Sequence, residues 1–117
     1  MEPLSEQSIT RLRKLGGDAF LGKMIDLFVT YATEKIKEAT EAFERKDYAA
    51  AGKAAHALKS SAGNVGALRV GQLATAIEQQ AGAGEGPELA DSIAELVVAF
   101  QEVRPLLEAR KREAGSD

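Results

Sequence analysis

Residues 18–45 have the sequence DAFLGKMIDLFVTYATEKIKEATEAFER, which is the longest amphipathic stretch of this chain. Its apolar side chains recur at steps of mostly three and four, the spacing of one face of an α-helix. The members of this stripe are Leu21, Met24, Ile25, Phe28, Ala32, Ile36, Ala39 and Phe43. The stretch therefore predicts one long helix over residues 18–45.

The segments on both sides have the same spacing, and none shows the strict alternation of a β-strand. We expect further helices at about residues 4–14, 47–62, 67–81 and 87–109. Gly16-Gly17 should end the first of these, which turns Leu4, Ile9, Leu12 and Leu15 inward. Pro105 should kink the last helix or end its regular part near Arg104.

Short links between long amphipathic helices favour antiparallel neighbours. The fold class is therefore all-α: an up-down antiparallel four-helix bundle with a short additional N-terminal helix. At 117 residues the chain is the length of one domain, with the bundle at about 18–109 and a frayed tail at about 110–117. The inward residues of the third helix are mostly alanine, so that helix must lie close to its neighbours.

The composition argues against several classes of partner and site. The net charge is −3, from 15 basic and 18 acidic residues spread along the chain, so neither nucleic acid nor an anionic membrane is an expected partner. There are no cysteines, which excludes disulfides and thiolate metal sites. No signal peptide or membrane-spanning run is evident, and a cytoplasmic monomer is expected.

His56, the only histidine, is predicted to face water. The apolar stripe of its helix is formed by Ala51, Ala55, Leu58, Ala62 and Val65. His56 lies roughly 140° from the centre of that stripe on a helix of about 3.6 residues per turn. An ordinary surface histidine remains an alternative to a functional one.

Small residues surround His56 on its own face of the helix. They are Ala49, Gly52, Ser60 and Gly63, at offsets of −7, −4, +4 and +7. An exposed glycine inside a helix costs about 0.5 to 1 kcal/mol relative to alanine, so stability does not explain this surface. We interpret these residues, with Lys53, as a docking surface from which a partner can reach the ring; for Gly52 alone, close helix packing is the alternative.

Two charged side chains are expected beside the imidazole. A neutral imidazole has a ring nitrogen lone pair that can attack phosphorus. Lys59 should lie roughly 5 to 6 Å from His56 between Cβ atoms, where its ammonium can stabilise a phosphoryl group. Glu78 on the next helix can orient the imidazole by accepting its other N–H. Plain solvated roles for Lys59 and Glu78 remain open.

The stretch AHALKSSAGNVGA, residues 55–67, resembles the phosphoacceptor motif of histidine-containing phosphotransfer (HPt) domains, roughly A-H-x-L-K-G-[SA]-[SA]-x-x-[LVF]-G. The resemblance extends upstream through Gly17-Asp18, Leu27-Phe28 and Lys46-Asp47. Ser60 departs from the motif, which usually has glycine there. Glu78 falls where some members, including the phosphodonor domains of chemotaxis kinases, have Glu or Gln.

This resemblance implies a phosphorelay protein that is not an enzyme on its own. His56 would be the phosphoacceptor, through Nε2, and Lys59 the supporting cation. The implied partners are receiver domains of response regulators and a hybrid histidine kinase. No intrinsic cofactor or metal is implied, because the receiver supplies its own Mg²⁺.

Two other interpretations remain open. The chain can be the phosphodonor domain of a chemotaxis-type histidine kinase, which receives its phosphoryl group from ATP bound to a separate kinase domain. Alternatively, it is a non-catalytic helical adaptor whose small-residue face packs on a partner helix.

Overall fold

Four helices make up the computed structural model, which describes residues 2–84 and 86–114. They are α1 (Glu6–Glu44), α2 (Tyr48–Val65), α3 (Leu68–Gly82) and α4 (Pro87–Ala114), and the described residues contain no strand. The all-α bundle is thereby confirmed. No helix in the described ranges is long and apolar enough to span a membrane.

Each helix packs against two others, so that the four form a closed ring. α1 contacts α2 and α4, and α3 contacts the same two helices. α2 and α4 lie diagonally across the bundle from each other. Two phenylalanines link α1 to α4, with the rings of Phe28 and Phe100 in an edge-to-face arrangement at 6.2 Å between centroids.

α1 combines the two N-terminal helices that the sequence predicts. Its backbone is non-helical at Gly17, where φ is 84° and ψ is −176°, so the element has a kink at the predicted break. Leu4, Ile9 and Leu12 are buried as expected. Leu15 was predicted to face inward and is 71% exposed, because it lies at the end of the segment before the kink and outside the covered stripe.

α4 continues further than predicted. Pro105 was predicted to kink the last helix or to end its regular part near Arg104. The helix does not end there, since it runs on to Ala114. Pro105 and Gln101 are both exposed, so water can reach the Gln101 carbonyl that the proline leaves without a donor.

Residues 110–114 were expected to be frayed and are instead helical, whereas 115–117 lie outside the described residues. Two ion pairs attach this last turn to α1. The Arg110 guanidinium lies 2.7 Å from a Glu6 carboxylate oxygen, and the Lys111 ammonium lies 2.7 Å from Asp26. The pKa of Glu6 is lowered by its hydrogen bond to Arg110.

The turn between α2 and α3 fixes the end of the helix that carries His56. α2 ends at Gly66 in the left-handed conformation, with φ 76°. The N-terminal segment crosses this turn: the Ser5 N–H donates to the Gly66 carbonyl at 2.8 Å, and the Leu68 N–H donates to the Pro3 carbonyl at 3.2 Å. A Cβ atom on Gly66 would lie 2.6 Å from the Cβ of Ser8.

We therefore expect Gly66→Ala to lower the free energy of unfolding by about 1 to 3 kcal/mol, through backbone strain and the clash with Ser8. The matched control is Gly63→Ala, at an exposed helical position where nothing lies within 4 Å of the added Cβ. That variant should have a free energy of unfolding about 0.5 to 1 kcal/mol higher than wild type. Urea unfolding of both variants measures the difference, and equal effects would contradict this account of the turn.

Candidate functional site

His56 projects from the middle of α2 on the side away from the core. Its side chain is 64% exposed. The stripe on the opposite side, formed by Ala51, Ala55, Leu58, Ala62 and Val65, is buried. The prediction that the imidazole faces water is confirmed.

Glu78 of α3 lies beside the ring. Its Oε2 atom is hydrogen-bonded to Nδ1 of His56. An ionised carboxylate can only accept a hydrogen bond, so Nδ1 carries the proton in the neutral ring. Nε2 therefore keeps its lone pair. The pairing of α2 with α3 brings the two residues together as the sequence predicts.

Lys59 contacts the same carboxylate on its other oxygen. The Lys59 Nζ donates to Glu78 Oε1 at 2.7 Å. One carboxylate thus bridges the ring of His56 and the ammonium of Lys59. The expectation that this ammonium stabilises a phosphoryl group directly stays a prediction, since Lys59 here binds Glu78.

Both contacts favour the ionised form of Glu78. Its pKa is lowered by the hydrogen bond from Lys59 and then by the one from His56, while partial burial acts in the opposite direction. A carboxyl with a lowered pKa stabilises the fold above its unfolded-state pKa and loses that contribution as the pH falls through its folded-state pKa. Protonation of Glu78 in acid should therefore weaken its contacts with Lys59 and His56.

From this we expect wild type to be more stable than Glu78→Gln at neutral pH, and the advantage to shrink as the pH falls below 4.5, the ordinary value for Glu. Urea midpoints measured across this range provide the test. The control is Glu95→Gln on α4, where the exposed carboxylate has no ion pair within the described residues. A Glu78 difference that does not change with pH would contradict the assignment.

The structure separates the predicted docking residues into two groups. Ala49, Lys53, Ser60 and Gly63 are exposed around His56. The prediction that Gly52 is exposed is wrong. Gly52 is buried against α3, and a Cβ atom there would lie 3.1 Å from the Cβ of Ala81. This glycine lets two helices approach closely, which was the alternative for it considered alone.

The surface on either side of His56 differs in character. Toward α3 there is a shallow depression that Glu78 and Lys53 line. Toward α1 there is an apolar groove. It is lined by Met24, Leu27, Phe28, Tyr31, Ala57, Ser60, Ser61, Asn64 and Val65. This groove was not predicted from the sequence. The available signal was Leu27, a large apolar residue outside the buried stripe, which is 55% exposed.

No metal site is evident in the part of the chain that the structure describes. No three His, Cys, Asp or Glu side chains there are grouped so that they could hold an ion. The site itself presents the imidazole of His56, the carboxylate of Glu78 and the ammonium of Lys59.

Comparison with known proteins gives one family and one similar structure. The family model of the Hpt domain matches residues 23–110, a segment that contains His56, Lys59 and Glu78. No curated protein sequence matches the chain. The crystal structure of histidine-containing phosphotransfer protein B (HptB) from Pseudomonas aeruginosa PAO1 superposes with a TM-score of 0.89 at 22% identity, covering 95% of this chain and 96% of that one. At this identity, the likeness shows a shared fold.

Proposed function

This chain belongs to the Hpt domain family, and we propose that it takes a phosphoryl group from a receiver-domain aspartate onto Nε2 of His56 and passes it to a second receiver. The family carries phosphoryl groups between proteins of two-component systems. The observation that carries the residue assignment is the geometry of His56. Its ring is exposed, and Nδ1 is engaged by Glu78, so that Nε2 is the free nucleophile.

The proposed step needs no proton transfer by the protein. The Nε2 lone pair forms a bond to phosphorus as the bond from phosphorus to the aspartyl oxygen breaks, and that electron pair leaves on the receiver carboxylate. The ring then bears a positive charge and keeps its proton on Nδ1. Glu78 lies against this proton and balances the charge. Transfer to the next receiver is the same step in reverse.

The partner completes the site. We propose that the receiver supplies Mg²⁺ and most of the electrostatic stabilisation, since positioning dominates phosphoryl transfer. The chain itself then needs neither a cofactor nor a catalytic centre of its own. Docking would use the exposed residues around His56 on α2 together with the apolar groove toward α1, because this side combines access to Nε2 with apolar area to bury.

Transfer from a phosphorylated receiver is the direct test. Receivers from the source genome, charged with radiolabelled acetyl phosphate, are mixed one by one with the full chain. We expect the label to move onto this protein faster than a charged receiver alone loses it by hydrolysis. No transfer from any charged receiver would contradict the relay function.

One observation favours a second candidate, the phosphodonor domain of a chemotaxis-type kinase. A carboxylate beside the imidazole is a feature that the resemblance associates with such domains, and Glu78 occupies that place. The two candidates differ in the donor. Labelling by an ATP-loaded kinase core, without labelling by any receiver, would support this second function instead.

A further inference from the structure

Lys59 does not stand free beside the phosphoacceptor nitrogen. Its ammonium lies 2.7 Å from Glu78 Oε1, and the other oxygen of the same carboxylate accepts from His56 Nδ1. The side chains of Lys59 and Glu78 are 38% and 31% exposed, so both are partly shielded from water. A single carboxylate therefore lies between the cation and the ring.

This places the ammonium on the carboxylate that binds the Nδ1 edge of the ring. Glu78 binds the ring at Nδ1, whereas the proposed phosphoacceptor is Nε2, at the other edge of the imidazole. If Lys59 left Glu78 to bind a phosphoryl group on Nε2, this ion pair would break. The carboxylate would then lose one partner at the moment when it must balance the charge of the phosphorylated ring.

We infer that Lys59 is a positioning residue that acts on phosphoryl transfer through Glu78, by holding the carboxylate that keeps the proton of His56 on Nδ1. This inference rests on the proposed function of His56. An imidazole in water favours the proton on Nε2, which leaves no lone pair at that nitrogen. A carboxylate fixed beside Nδ1 reverses this preference and raises the fraction of rings ready to react. Lys59 fixes it by occupying the other carboxylate oxygen.

The chain offers a matched control for the charge of Lys59. Lys53 precedes His56 by three residues, as Lys59 follows it by three, and both lie on α2. Lys53 is exposed and forms no ion pair with Glu78. Replacing either lysine by methionine removes one positive charge at the same helical separation, but only Lys59→Met releases the carboxylate.

The first measurement is the tautomer of His56 by ¹⁵N NMR of the full, unphosphorylated chain, where a single histidine makes the assignment unambiguous. We expect wild type and Lys53→Met to have the proton mainly on Nδ1. Lys59→Met and Glu78→Ala should both shift it toward Nε2, and Lys59→Arg should restore the wild-type pattern. An unchanged tautomer in Lys59→Met would overturn the inference.

The second measurement is a double-mutant cycle on the transfer rate from a charged receiver. In the wild-type background Lys59→Met should slow transfer roughly two- to fivefold, the range expected for a partly exposed charge pair. In the Glu78→Ala background the same change should have no effect, because the carboxylate through which it acts is gone. Equal slowing in both backgrounds would show that Lys59 contacts the phosphoryl group directly and would overturn the inference.

These results separate the inference from the proposed function. If wild type accepts no phosphoryl group from any receiver, the proposed function fails, and the tautomer pattern alone then decides whether Lys59 acts on the ring through Glu78. If transfer proceeds but the cycle is additive, only the inference fails. Circular dichroism and urea midpoints identify any variant that loses the fold. If Lys59→Met is such a variant, Lys59→Gln replaces it in both measurements.

Discussion

Replacing His56 by glutamine is expected to abolish phosphorylation of this protein by charged receivers. The chain contains one histidine, so no second imidazole can take over the nucleophilic step. The glutamine amide has a nitrogen without an available lone pair, although its size and polarity suit the exposed position on α2. Label that is acid-labile and base-stable should appear on wild type and stay at background on His56→Gln.

The same variant should fold normally, since the side chain is 64% exposed and lies away from the buried stripe of α2. We expect its free energy of unfolding, measured with urea, to change by no more than about 0.5 kcal/mol, the range of surface substitutions. Label that persists on the folded His56→Gln protein, or label stable to acid on wild type, would contradict the assignment of His56. Absence of label on wild type, both with charged receivers and with an ATP-loaded kinase core, would favour the adaptor interpretation.

Helical periodicity was sufficient to predict the bundle. The stripe from Leu21 to Phe43 is buried along α1 apart from the half-exposed Met24 and Phe43. The link predicted at residues 63–66 is shorter than expected, because α2 continues to Val65 and ends at the left-handed Gly66. These features depend on local spacing and backbone conformation, which sequence records directly. The same applies to the exposure of His56, which follows from its angle to the apolar stripe.

Features that depend on neighbouring helices were harder to predict. Gly52 and His56 share one face of α2, about 40° apart by helix geometry. Gly52 lies on the side that Ala81 of α3 covers, whereas His56 remains open. The sequence does not show on which side of a helix its neighbour packs. Glu78 was found only because the turn after α2 fixes the pairing of α2 with α3.

The helical last turn of α4 depends on contacts distant in sequence. The ion pairs of Arg110 with Glu6 and of Lys111 with Asp26 join residues 104 and 85 positions apart. A local reading of residues 110–114 shows only a charged segment near the end of the chain. Ala114 is also buried in the core cluster, although a single alanine near the end of the chain gives no periodic pattern from which its burial could be predicted.

A bulky side chain next to His56 should block the partner while leaving the site chemistry intact. Ser60 lies one helical turn after His56, is exposed, and lines the apolar groove toward α1. We expect Ser60→Trp to slow transfer from a charged receiver by about a hundredfold, since a displacement of the reacting atoms by about 1 Å has an effect of that size. Radiolabelled receiver, mixed with each variant and sampled over time, gives the rates.

Two comparisons make this result specific to docking. Ala94 is an exposed small residue on α4, the helix diagonally opposite α2, so Ala94→Trp adds the same bulk on the other side of the bundle and should transfer at the wild-type rate. Phosphoramidate, a small donor that needs no docking surface, should phosphorylate Ser60→Trp as fast as wild type. A loss with both donors would mean that the tryptophan disturbs His56 itself. An unchanged rate from the receiver would mean that the partner approaches Nε2 from the α3 side, over Glu78, and not across the groove beside α1.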